Sequence, residues 1–71
     1  MQFSDVKPFE DREATIQMID GEQLRAKIVF VDSEYDDVIV DVLETNRPAQ
    51  YRTVNQKCSY ALPLSELVAI F

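Results

Sequence analysis

Apolar and polar residues alternate with a period of two through most of the chain. Ala14, Ile16 and Met18 fall on one face of the first run, with Thr15 and Gln17 on the other, which predicts a half-buried strand. Asp20-Gly21 follows, a strong short-hairpin signal in which Gly21 can take positive φ without a Cβ penalty. The second run, residues 23–30, sets Leu24, Ala26, Ile28 and Phe30 against Gln23, Arg25 and Lys27. That is a second half-buried strand, with Phe30 expected to face inward. A turn over residues 32–37 leads into a β-branched third strand, residues 38–43, with Val38, Val40 and Val42 on one face. Residues 60–64 predict a fourth strand, which Pro63 confines to an edge or kinks because it has no N–H to donate. Ser65-Glu66-Leu67 predicts a tight turn and residues 68–70 a short last strand. At the front, residues 4–8 predict one turn of helix capped by Ser4 or Asp5 and limited by Pro8.

Five short strands with one apolar face predict an all-β protein. A flat sheet of this size would leave that face wet, whereas a small, strongly bent five-stranded barrel buries it. The second strand spans about ten residues, or roughly 33 Å at 3.3 Å per residue, so it must bend to serve both halves of the barrel. Ala26 lies mid-strand, where a larger side chain would crowd an inward bend. The expected organisation is a single domain over residues 1–71. Residues 1–10 form an N-terminal extension, and residues 45–58, which show no clean period, form a long loop between the third and fourth strands.

The chain has 71 residues, which allows one domain. A chain of this length buries only about 60% of the surface its unfolded form exposes. One Cys and no His exclude an intramolecular disulfide and a thiol–imidazole zinc cluster. Tight packing or self-association must then supply the stability. No apolar stretch approaches the roughly 18 residues a membrane-spanning helix needs. The first residues show neither the basic nor the apolar region of a signal peptide. A cytoplasmic location is expected. The net charge is −6, unevenly spread. Residues 1–44 hold 12 acids against Lys7, Arg12, Arg25 and Lys27, whereas residues 45–71 hold Arg47, Arg52 and Lys57 against Glu66 alone. An acidic chain repels a phosphate backbone at long range, which counts against general nucleic-acid binding. The same asymmetry suits an acidic surface on one protomer meeting a basic surface on the next.

Two segments carry a resemblance. From Ile16 to Glu44, the order Asp20-Gly21, Ala26, Asp32, Asp37 and Val38-Ile39-Val40-Asp41 resembles the first motif of the Sm-like (LSm) family. Residues 62–70, Leu-Pro-Leu-Ser-Glu-Leu-Val-Ala-Ile, resemble its second motif. The resemblance implies an Sm-like or SH3-like barrel and a homo-oligomeric ring, in which the fourth strand of one subunit pairs with the fifth of the next. Applied here, residues 60–64 would join residues 68–70, making Tyr60, Leu62, Leu64, Val68 and Ile70 candidate interface residues. The family's RNA pocket does not carry over. Glu34-Tyr35-Asp36-Asp37 stands where an Asn reads the base, and Pro63-Leu64 stands where an Arg-Gly positions a cation. Any RNA-linked role would therefore be weak or atypical. A second resemblance is to the small acidic inhibitors of Rho-dependent transcription termination, which implies an acidic module that occupies a nucleic-acid-binding partner.

The remaining candidates are surfaces. Without His, and with Cys58 beside Lys57 but no base or second thiol in view, nucleophilic and acid–base schemes lack their parts. No enzyme activity and no cofactor are expected. The acids at 32, 34 and 36 have the opening spacing of a calcium loop, but Asp37 and Leu43 occupy the positions that need Gly and Glu. No metal is expected. Asp32, Tyr35 and Asp37 are candidate contacts for RNA or a basic protein partner. Arg47, Tyr51, Arg52 and Lys57 interleave cations with aromatic residues, a pattern that can track a single strand by charge and stacking. The same loop could dock on an acidic neighbour, or owe its composition to chance.

Overall fold

A computed structural model of the chain describes residues 1–46 and 59–71. In chain order the elements are helix α1 (Phe3–Val6), a 3-10 turn (Lys7–Phe9), β1 (Glu13–Met18), β2 (Gln23–Asp32), β3 (Asp37–Thr45), β4 (Ser59–Pro63), a second 3-10 turn (Leu64–Glu66) and β5 (Leu67–Ile70). The five strands form one antiparallel sheet in the order β4-β3-β2-β1-β5. The protein is a small all-β, barrel-like domain with a short N-terminal helix. Among the described residues no helix is long and apolar enough to cross a membrane.

The inward face is the one the alternation predicts for β1 and β3. Ala14, Ile16 and Met18 meet Val38, Val40 and Val42 in a common core with Leu24, Ala26 and Ile28. Both ends of the sheet contribute to it, Leu62 from β4 and Leu67 from β5, with Leu64 from the turn between them. α1 and its following turn also lie outside the sheet, supplying Val6 and the partly buried Phe3 and Phe9. So short a helix cannot cover a flat five-stranded sheet. The sheet buries its own face by curling.

Curling shows in the ladder of β2. Its first half pairs with β1, from Glu13 opposite Lys27 to Gln17 opposite Gln23, while pairing with β3 continues to Asp32 opposite Asp37. Past Lys27 the N-terminal segment takes over from β1. Asp11 N–H donates to the Ile28 carbonyl (2.7 Å) and Ile28 N–H to the Arg12 carbonyl (2.8 Å). The Glu10 carboxylate accepts from Val31 N–H at 2.9 Å. The register with β3 shifts between Ile28 and Phe30, leaving Val29 as an extra residue. Such a bulge bends and twists its strand.

That bulge overturns one expectation. Phe30, which simple alternation turns inward, is 49% exposed, and Val31 is buried in its place. The extra residue reverses the parity of everything after Ile28, so Val29 and Phe30 both face outward. The N-terminal helix also differs from the sequence reading. Its N-cap is Gln2, not Ser4 or Asp5, and Asp5 accepts from Gln2 N–H at 3.0 Å. At the β1–β2 turn Gly21 adopts φ +91°, which a residue with a Cβ takes only under strain. β3 runs on through Thr45, two residues past the predicted end. The rest of the predicted 45–58 loop, from residue 47 onward, lies outside the described residues.

Candidate functional site

Two features could make contact with another molecule: the open edges of the sheet, and its outer face at the β2–β3 end. In an antiparallel ladder, residues bonded to the neighbour alternate with residues whose N–H and C=O point away. Leu64 N–H donates to the Asp36 carbonyl at 2.9 Å, and the register then runs unbroken from Pro63 opposite Asp37 to Ser59 opposite Asp41. Tyr60 and Leu62 therefore bond to β3, while Ser59, Ala61 and Pro63 aim their backbone groups outward. The missing N–H of Pro63 falls on the open edge and costs the β3–β4 ladder nothing.

At the other end of the sheet, Thr15 and Phe71 exchange hydrogen bonds of 2.7 and 3.0 Å. Gln17 lies opposite Ala69 and Ile16 opposite Ile70. By the same alternation, Ile70 aims its N–H and C=O outward. A register shift at Met18 leaves Val68 as an extra residue, and its side chain is exposed. Among the described residues, β4 and β5 thus each pair on one side only.

The sequence-derived interface residues divide accordingly. Leu62 and Leu64 are each 2% exposed and belong to the core, so they can take part in an interface only through the main chain. Tyr60 and Ile70 are half-buried against the same core. Val68 alone of the five presents an exposed side chain. An edge contact here is chiefly a backbone contact.

Asp32, Tyr35 and Asp37 lie together at the β2–β3 turn. Asp32 Oδ1 accepts from Glu34 N–H (2.9 Å) and Tyr35 N–H (3.3 Å), so this carboxylate builds the turn as well as charging it. Asp36 takes φ +52°, a left-handed conformation that Asp tolerates better than most residues. Asp37 is half-buried opposite Pro63, and its Oδ1 has no hydrogen-bond partner. Tyr35 is 73% exposed. Among the described residues no cation forms an ion pair with Asp32, Glu34, Asp36 or Asp37, and no three metal-ligating side chains converge. Arg47, Tyr51, Arg52 and Lys57 lie outside the described residues.

Three structural features escape the reading above. Val29 and Phe30 face outward because of a bulge that no residue type announces. Glu22 is buried, with Oε2 accepting from the Thr45 hydroxyl at 2.6 Å and Oε1 unpartnered. Its parity with Leu24 and Ala26 could have flagged it. Glu10 is also held in place. A hydrogen bond from Lys7 Nζ (2.7 Å), and then one from Val31 N–H, hold its carboxyl below the usual range, against a smaller opposing effect of desolvation.

Two shallow grooves lie between the described residues. One, about 340 Å³, lies between Thr15, Arg25, Glu44 and Asn46 on the outer face. The other, about 370 Å³, runs between Phe3, Tyr35, Asp36 and Pro63. No protein-family model matches the chain, and no curated protein matches it by sequence.

Proposed function

We propose that the protein is a non-catalytic assembly module that forms a homo-oligomeric ring by pairing the open edge of β4 in one copy with the open edge of β5 in the next. The observation that carries this reading is the hydrogen-bond phase. Ser59, Ala61 and Pro63 on one edge and Ile70 on the other direct unused main-chain groups outward, and unpaired edges template strand addition. Each edge is short, and each carries one irregularity, Pro63 or the bulge at Val68. Such devices limit pairing in unwanted registers, which favours one defined junction over open-ended aggregation. The resemblance to Sm-like proteins supports the same reading, and any RNA-linked role stays secondary to assembly.

Ala61 provides the test. Its N–H points away from β3, so Ala61→Pro removes an edge donor while sparing the β3–β4 ladder. Wild-type protein should sediment as a discrete oligomer at micromolar concentration, and Ala61→Pro as a folded monomer with an unchanged circular dichroism spectrum. A wild-type protein that stays monomeric throughout, or an Ala61→Pro variant that assembles normally, would refute the ring.

A further inference from the structure

Among the described residues, the outer face of the sheet carries an apolar stripe that lies outside the core. Phe30 lies opposite Ile39 and Ile39 opposite Ala61, so the three side chains form one row across β2, β3 and β4. Their neighbours in sequence, Val31, Val38, Val40 and Leu62, all point into the core, which fixes this row on the outside. Val29, the extra residue of the bulge, widens the stripe and is itself exposed. Without the bulge, Ile28, Val29 and Phe30 would alternate and only one of the last two would face solvent. Bulges re-aim side chains, and they concentrate beside functional sites.

Acids flank the stripe on the same face. The adjoining outward row sets Asp32 opposite Asp37, with Glu34 and Asp36 beyond it in the turn. Asp41 lies on the other side, opposite Lys27 and hydrogen-bonded to Ser59. A lone apolar stripe would accept any greasy partner. Carboxylates that form no ion pair among the described residues select for positive charge at its end, and repel both a polyanion and the acidic face of another copy.

We propose that this outer face docks an extended segment of a partner protein in which a short run of large apolar residues is flanked by lysine or arginine. The apolar side chains cover Phe30 and Ile39, and the cations lie toward Asp32 and Asp37. The docking face meets the β4 edge invoked for the ring at Ala61, but it uses the outward side chains whereas the ring uses main-chain groups, so either can fail without the other.

The test uses the full chain and a short fluorescent peptide with a central run of Val flanked by Lys on both sides. In the control peptides Ser replaces the Val run, or Glu replaces the Lys. The Lys/Val peptide should bind at low salt, more tightly than either control, and its largest amide shifts in a ¹⁵N-labelled sample should fall at Phe30, Ile39 and Ala61. Phe30→Ser should weaken binding by about tenfold or more, as loss of a central aromatic anchor does. The shift map on unaltered protein decides the matter even if that variant folds poorly. Absence of binding, equal binding of the Lys/Ser peptide, or shifts confined elsewhere would overturn the proposal. So would a change in oligomeric state on Phe30→Ser alone, which would make a second copy the occupant. Tighter binding of oligo-uridine to the same amides would assign the face to nucleic acid instead. If the ring alone is wrong, the protein sediments as a monomer and peptide binding persists.

Discussion

Glu22 shows how one residue can belong to both the turn and the core. Its N–H donates to Asp20 Oδ1 at 3.0 Å and its carbonyl accepts from Met18 N–H at 2.8 Å, closing the β1–β2 turn. The side chain then follows the parity of Leu24 into the interior, where it is 1% exposed. A buried carboxylate is costly unless it is hydrogen-bonded, and the Thr45 hydroxyl is the donor that meets it. Thr45→Val keeps the shape and removes the hydroxyl, so it should cost about 1–3 kcal/mol in urea unfolding, while Thr45→Ser should recover most of that loss. A Thr45→Val variant as stable as the wild type would show that the carboxylate does not depend on this contact.

At the scale of elements, the N-terminal segment acts as the missing strand beside the far half of β2. Its main chain bonds Ile28, and Glu10 joins Lys7 on one side to Val31 on the other. Because these donors lower the pKa of Glu10 in the folded state, its stabilising contribution is present above the unfolded pKa. It is lost as pH falls through the lower folded value. The thermal midpoint of the wild type should therefore exceed that of Glu10→Gln near neutral pH, and the two should converge in acid, once pH has fallen below the lowered folded value. A gap that persists unchanged into strong acid would mean that the carboxylate charge contributes nothing to holding this segment. Of the three register shifts in the sheet, two re-aim side chains that reach the surface. The one at Val29 bends β2 and turns Phe30 outward, while the one at Val68 interrupts the β5 edge.

The whole molecule must make a stable unit from a small core. With no intramolecular disulfide available from its one Cys, a chain this short would gain much from burying its edges in the proposed ring. Charge enters at this scale too. The acids concentrate in residues 1–44 and the excess of cations in residues 45–71, so in the proposed ring neighbouring protomers would meet with opposite signs. Changing Arg47, Arg52 and Lys57 together to Glu should weaken assembly by about tenfold or more at low salt, read as a rightward shift in the concentration dependence of light scattering. The difference should shrink in high salt, where exposed charges are screened. An unchanged profile would leave assembly to the main-chain edges alone.

How much was legible before the fold follows from these same scales. Strand number and the inward sets of β1 and β3 were readable, because side chains alternate across a strand and an apolar face must be buried. So were the Asp20-Gly21 turn, the edge position of Pro63 and the uneven charge, which depend only on local chemistry. The outward turn of Phe30 was not readable, since a single extra residue reverses parity and its place is set by where β2 must bend between two sheet halves. The burial of Leu62 and Leu64, the substitution of Glu10 for a strand partner, and the alignment of Phe30, Ile39 and Ala61 into one stripe were likewise decided by the tertiary structure. Each depends on register between segments far apart in the chain, and register is a property of the assembled sheet, not of any one strand.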